Sequence, residues 1–221
     1  MRCSYGKVYR LRKENGLLAQ RKRRPQGLTK QDPKDQLSED LIQRDFTAAQ
    51  PGEKWLGDIT QAQCKDGKLY VCGVFDCFDG AIVGLSMREH MRTELCLSAL
   101  ESAVFRYRPS PRLVFHSDRG SQYTSKGYRS CLQKYGVRQS MGRTGSCYDN
   151  ARMESFWATL KNDLLYRLPL STLTREQVRR IVFRWIECYY NWERLYSANP
   201  DYLPPLAFRE QWMATSMGRA A

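Results

Sequence analysis

Residues 53–87 read EKWLGDITQAQCKDGKLYVCGVFDCFDGAIVGLSM. β-Branched and aromatic residues crowd this stretch, and two Asp-Gly pairs, Asp66-Gly67 and Asp79-Gly80, interrupt it. Asp-Gly between apolar runs supplies the backbone angles of a tight hairpin. The stretch therefore predicts three antiparallel strands, roughly 55–63, 68–76 and 80–87. The period then changes. Residues 93–107 gather Leu95, Leu97, Ala99, Leu100, Ala103 and Val104 on one broad helical face, and Pro109 and Pro111 close the helix. Leu113–His116 is apolar without alternation, which reads as a short buried strand. Residues 125–136 read as a short helix, Val137–Ser140 as a strand and Met141–Tyr148 as a Gly-rich loop. Residues 149–165 form a helix with Asp149 or Asn150 as its natural cap. Residues 174–190 form another, opened by Thr174 and Glu176. Three hairpinned strands, then helix, strand, helix, strand, helix and helix give an α/β protein.

Residues upstream of this body have a different texture. SYGKVYRLRKENGLL (4–18) spaces Val8, Leu11, Leu17 and Leu18 as a short helix that stops at Gly16. The run Arg21, Lys22, Arg23, Arg24 follows, closed by Pro25. It reads either as a solvated linker or as an arm that contacts phosphates. TKQDPKDQLSED (29–40) is polar and reads as linker. The expected organisation is a basic helical N-terminal segment with linker over 1–45, followed by a catalytic core with C-terminal helices over 46–212.

The 221 residues suffice for one substantial core. Lys and Arg total 36 against 23 Asp and Glu, a net charge of +13 that favours a polyanionic partner, nucleic acid first. No apolar run has the length of a membrane span and the N-terminus lacks an apolar signal core, so the expectation is a cytoplasmic protein. The eight cysteines have no CxxC spacing, and His90 and His116 fit no ligand pattern. They read as buried small side chains and not as a zinc site.

Three acids occupy positions that chemistry favours. Asp58 lies in the middle of the first strand, where a carboxylate is costly unless paired or neutralised by a cation. Asp118 follows the fourth strand, and strand ends are where α/β folds place ligands. Glu154 follows after 35 intervening residues, on the helix after the Gly-rich loop, sharing a side with Asn150, Trp157, Ala158 and Lys161. Met153, Phe156, Leu160 and Leu164 form the neighbouring apolar stripe. Converging carboxylates repel one another, and Mg²⁺ or Mn²⁺ resolves the repulsion. Each acid also has an ordinary reading. Asp58 serves as a solvated strand acid, Asp118 as a turn cap, and Glu154 as a partner of Lys161 or Arg152. Asp76 and Asp79 are rivals in the same strand layer.

The segments WLGDIT (55–60), LYVCGVFDCFDGAIVG (69–84), HSDRGSQYTS (116–125), SMGRTGSCYDNARMESFWATLK (140–161) and YYNWERLYSANPDYLPPLAF (189–208) resemble the DDE transposases of IS3-type insertion sequences, relatives of retroviral integrases. Residues 4–18 resemble the tail of that family's helix-turn-helix segment. The resemblance implies a ribonuclease H-like fold, a mixed five-stranded sheet flanked by helices. It implies a catalytic, metal-binding triad of Asp58, Asp118 and Glu154 that holds two Mg²⁺ (or Mn²⁺) ions, the two-cation clamp of phosphoryl transfer. It implies DNA cleavage and strand transfer on transposon ends and target DNA by a homo-oligomer. An upstream helix-turn-helix partner and nucleoid association when acting belong to the same expectation. His116 and Ser117 then orient the second Asp. The DNA contacts fall to Arg21, Lys22, Arg23, Arg24, Arg119, Gln122, Tyr123, Arg143 and Lys161. Two departures stand out: Phe78-Asp79-Gly80 replaces the family's Ser-Arg after the third-strand acid, and Arg194-Leu195-Tyr196 replaces its Arg-x-His. The alternatives are a metal-dependent ribonuclease H-like nuclease and a catalytically inactive DNA-binding remnant.

Overall fold

The computed structural model describes residues 4–18, 38–142 and 150–218. Helix α1, Tyr5–Glu14, is capped by the Ser4 hydroxyl, which accepts from the Lys7 N–H, and it buries none of its residues. The body is one five-stranded sheet in the order β3-β2-β1-β4-β5. Its strands are β1 Lys54–Cys64, β2 Gly67–Asp76, β3 Ile82–Arg88, β4 Val114–Ser117 and β5 Arg138–Met141. β1, β2 and β3 pair antiparallel through the two expected hairpins, with a bulge between Val74 and Phe75. β4 pairs parallel to β1, and β5 parallel to β4. Crossovers through α2, Thr93–Tyr107, and through α3, Ser121–Thr124, with α4, Lys126–Lys134, make those parallel pairings possible. α5, Ala151–Asp163, α6, Arg175–Arg184, and α7, Pro205–Gly218, complete the chain.

Strand residues alternate between two cores. On one face Trp55, Val74, Leu95, Leu100, Phe115, Tyr123 and Tyr128 pack together under α2 and α4. On the other Leu56, Leu69, Phe75, Met153, Phe156, Leu160 and Val178 pack under α5 and α6. Two glycines permit the closest approaches. A Cβ on Gly57 would lie 2.3 Å from the Phe115 ring, and one on Gly84 2.3 Å from the Ala99 carbonyl of α2. Cys64, Cys72, Cys77, Cys96 and Cys131 are buried thiols, as their scattered spacing implies.

Three features depart from the sequence reading. Residues 38–48 lie on the core: Ile42 is buried, the Leu41 N–H donates to the Ser140 hydroxyl, and the Met141 N–H donates to the Glu39 carbonyl. The helix expected over 174–190 is α-helical only to Arg184. Its last six residues, Trp185–Tyr190, wind as a π-helix, which turns Ile186 and Tyr190 into the core. The helix α7 runs past residue 212 to Gly218.

The C-terminal helix is tied to the sheet by a buried ion cluster. Arg209 bonds Asp79 and Asp76, and all three are buried. Asp76 also accepts from the Trp55 indole N–H at 2.9 Å and the Gly52 N–H at 2.8 Å. Burial pushes the Asp79 carboxyl up, and the Arg209 charge pulls it back. The guanidinium lies 4.8 Å from the centre of the Tyr107 ring. Removing one member leaves buried charge without a partner, at a cost of about 3–5 kcal/mol. Arg209→Ala should therefore lower the melting temperature by about 10 °C, at roughly 2–4 °C per kcal/mol for a domain of this size. A thermal melt followed by circular dichroism checks it, and an unchanged midpoint would show that the cluster contributes little.

Candidate active site

The parallel pairing of β1 with β4 sets the geometry. Leu56 is the register partner of His116. Asp58 lies two residues past Leu56 within β1, and Asp118 two residues past His116, just beyond the end of β4. Asp58 is half-buried and opposite Gly73 on β2. Its Oδ2 accepts from the Trp157 indole N–H at 3.0 Å, and the Ile59 N–H donates to the same carboxylate. Burial pushes its carboxyl up from 3.8 to about 7, reinforced by repulsion from Asp118 and then from Glu154, against those two hydrogen bonds. The three acids from distant segments therefore share one electrostatic field. Lys161 belongs to it as well: burial pushes its ammonium down and the Asp58 charge draws it back up.

Asp118 fulfils its ordinary reading with one oxygen. Its Oδ1 accepts the Gly120 N–H at 2.9 Å, closing the turn into α3. Glu154 is exposed in the first turn of α5, whose apolar side buries Met153, Phe156, Trp157 and Leu160. Asn150 occupies the N-cap position without a capping hydrogen bond. Its amide instead donates to the Gly57 carbonyl at 3.3 Å. Asp149 lies outside the described residues. The rival acids Asp76 and Asp79 are committed to Arg209.

The supporting residues divide. His116 is buried, with Nδ1 2.8 Å from the Ser140 hydroxyl and 4.0 Å from Asp40, so it ties β4 to β5 and to the segment before β1. The Ser117 hydroxyl donates to the Asp118 carbonyl. Arg119 donates through Nε to the Gly142 carbonyl at 2.8 Å and so holds the start of the Gly-rich stretch. Two expected DNA contacts are corrected by burial. Tyr123 is wholly enclosed between Phe115 and Tyr128. Gln122 is buried and donates to the Met91 carbonyl at 2.7 Å. Neither side chain reaches the surface that a duplex would touch. Arg21, Lys22, Arg23, Arg24 and Arg143 lie outside the described residues.

The sequence reading did not find the Trp157–Asp58 bond. The signal was present: Trp157 shares the helical side of Glu154, but its size pointed to the core alone. Among the described residues no three His, Cys, Asp or Glu side chains stand together so as to hold a metal. The chemistry of Asp58, Asp118 and Glu154, carboxylate oxygens of which the last two raise the proton affinity of the first, is that of a hard divalent cation's ligands.

Two family models, each described as an integrase core domain, match residues 48–147 and 135–205. A 31 kDa protein of the insertion element IS600 from Shigella sonnei is 36% identical over 93% of this chain and 75% of its own length. The transposase of IS904 from Lactococcus lactis is 41% identical over 77% of this chain and 66% of its own length. The transposase InsF of IS3A from Escherichia coli is 40% identical over 72% of this chain and 54% of its own. This chain thus spans about half to three quarters of the length of these relatives. Among solved structures, the HTLV-2 integrase catalytic core domain in complex with magnesium aligns with a TM-score of 0.56 at 17% identity, over 74% of this chain and 99% of that one. The catalytic core domain of BIV integrase aligns with a TM-score of 0.55 at 16% identity, over 75% and 99%. At these identities the structures establish the ribonuclease H-like fold.

The raised Asp58 carboxyl makes stability depend on pH. Its proton binds the folded chain more tightly than the unfolded one, so the stabilisation is complete below about pH 4 and is lost as pH rises through about 7. In a chelating buffer the melting temperature of the native chain should fall between pH 5 and pH 8, and Asp58→Asn should flatten that fall. Parallel slopes for the two proteins in thermal melts would contradict the assignment.

Proposed function

We infer the function from a membership: this chain belongs to the integrase core family of IS3-type insertion-sequence transposases. We propose that it cleaves DNA strands and joins a transposon 3′ end to target DNA, with Asp58, Asp118 and Glu154 as the catalytic acids. The reading is supported by the raised Asp58 carboxyl, which burial pushes up first and which Asp118 and Glu154, from two other segments, push up further. The net charge of +13 supports a polyanionic substrate.

The same three carboxylates would hold Mg²⁺ or Mn²⁺, two ions in the reading the family suggests. Bound there, the ions supply Lewis-acid polarisation of the phosphodiester and charge neutralisation for its in-line displacement. The chain's own residues do the rest. In this reading β1 supplies Asp58, the turn after β4 supplies Asp118, and the first turn of α5 supplies Glu154. Lys161, two turns beyond Glu154 and within the field of Asp58, binds a DNA phosphate. Arg119 fixes the entry to the Gly-rich stretch at Gly142, and Arg143 within that stretch grips DNA. The basic run Arg21–Arg24 contacts phosphates of the flanking duplex. In the transfer step a 3′-hydroxyl oxygen forms the new bond to phosphorus as the target's P–O3′ bond breaks; the attacking hydroxyl gives its proton to solvent and the leaving O3′ takes one up from solvent. No protein–DNA covalent bond and no nucleotide cofactor enter. The acting form is a homo-oligomer on paired ends, with an upstream helix-turn-helix segment or partner supplying end recognition. Among the described residues no helix is long and apolar enough to cross a membrane.

The test is cleavage of supercoiled plasmid in Mn²⁺, in Mg²⁺ and in EDTA. Nicking or joining should require metal, and Glu154→Gln should fall to the EDTA level. Asp118→Asn should lose chemistry while binding DNA as well as or better than the native chain, because a repelling charge is gone. Full activity in either variant would overturn the triad. Joined products separate a transposase from a nuclease that only hydrolyses.

Metal should also register as stability. A ligand that binds only the folded state at a hundred times its Kd adds about 2.7 kcal/mol. Saturating Mn²⁺ should therefore raise the melting temperature at pH 7.5 by several degrees, at roughly 2–4 °C per kcal/mol. Asp58→Asn should abolish that rise, and an equal rise in the variant would place the metal elsewhere.

A further inference from the structure

Helix α5 is held to β1 at two points that bracket Glu154. On the N-terminal side the Asn150 amide donates to the Gly57 carbonyl at 3.3 Å. On the C-terminal side the Trp157 indole N–H donates to Asp58 Oδ2 at 3.0 Å. Residues 150, 154 and 157 share one side of the helix, so both tethers and the glutamate face the same strand. The tethers also straddle Asp58 itself: one lands on the residue before it, the other on its carboxylate.

The approach that makes the indole bond possible is written into the neighbouring strand. Gly73 is the register partner of Asp58. A Cβ at Gly73 would lie 2.9 Å from the Met153 methyl and 3.2 Å from the Trp157 ring. Any other residue there would displace the Met153 methyl and press on the indole. The indole is buried, packed against Phe156 with ring centres 4.8 Å apart, so its N–H has one fixed direction. A buried indole N–H takes a partner, and here the partner is the carboxylate of an acid in the proposed centre.

We propose that Trp157 is a positioning residue: its N–H fixes the rotamer of Asp58 and, through α5, the distance from Asp58 to Glu154. With Oδ2 held by the indole, Oδ1 is the oxygen presented to a cation. Groups that orient metal ligands in this way are worth about 10–100-fold in metal affinity or activity when removed. The proposal rests on the assignment of Asp58 and Glu154 to one metal centre, so its test must separate the two claims.

Trp157→Phe keeps an aromatic ring over Gly73 and deletes the donor. Replacement of Trp157 by 3-benzothienylalanine, in which sulfur takes the place of the N–H, deletes the donor with the shape intact. Three quantities are read for each: Mn²⁺ affinity by titration calorimetry, metal-dependent plasmid cleavage, and the melting temperature without metal. Both variants should bind Mn²⁺ about tenfold or more weakly and cleave correspondingly less at fixed Mn²⁺. High Mn²⁺ should restore much of the cleavage. The benzothienyl variant should melt near the native temperature. Native Mn²⁺ affinity in the benzothienyl variant, with Asp58→Asn losing Mn²⁺, would overturn the positioning role and leave the triad standing. If Asp58→Asn binds Mn²⁺ like the native chain, the triad fails and the proposal with it. A metal-free melting loss with unaltered Mn²⁺ affinity would reduce Trp157 to a packing residue, again against the proposal.

Discussion

The guanidinium of Arg209, enclosed between Asp76 and Asp79, is the interaction on which the arrangement of the sheet depends. Asp76 ends β2, and its carboxylate also receives the Trp55 indole near the start of β1 and the Gly52 N–H before it. One cluster thus fixes the lower end of the central strand, the β2–β3 turn and the last helix. Burying three charges is tolerable only because the carboxylates and the guanidinium's Nε and Nη2 find partners. β1 is anchored at Trp55 and carries Asp58 only three residues later. The position of the first proposed catalytic acid is therefore inherited from a cation that lies 151 residues away in sequence.

The two departures from the family pattern meet in space. Gly80 has a positive φ of 82°, and the Tyr196 ring sits where a side chain at residue 80 would be. The Tyr190 hydroxyl donates to the Gly80 carbonyl, and the Asn199 amide donates to the Asp79 carbonyl. The replaced turn and the replaced C-terminal motif are thus halves of one contact. This separates them from the three acids. The segment YYNWERLYSANP, one of those that carry the family resemblance, supplies the clamp on the β2–β3 turn through Tyr190, Tyr196 and Asn199.

What the sequence made legible was what local chemistry decides. Asp66-Gly67 and Asp79-Gly80 gave the hairpins, and apolar periodicity with Pro109 gave α2 to its end residues, Thr93–Tyr107. The acids of the proposed centre were singled out because mid-strand and strand-end carboxylates are unusual. Long-range partners were not legible. Nothing near Asp76 or Asp79 announces Arg209, and nothing near Asp58 announces Trp157. Tyr123 and Gln122 follow a polar motif and suggested surface roles, yet the tertiary fold turns both inward. Residues 38–45 fell within the expected N-terminal segment and linker because one Ile42 and a few hydrogen bonds to β5 leave little trace in composition.

The π-helical segment Trp185–Tyr190 has a consequence for how the chain tolerates change in length. An α-helix advances by about 100° per residue, so the wide turn acts as a phase offset between Arg184 and all that follows. Downstream of it Tyr190 must face Gly80, and Asn191 must present its amide to both backbone groups of Ile82. Deleting a single residue within the segment would let it relax to an ordinary α-helix and rotate both side chains off their targets. The chain can absorb length variation in its surface connections, but at this turn the count of residues is itself part of the structure.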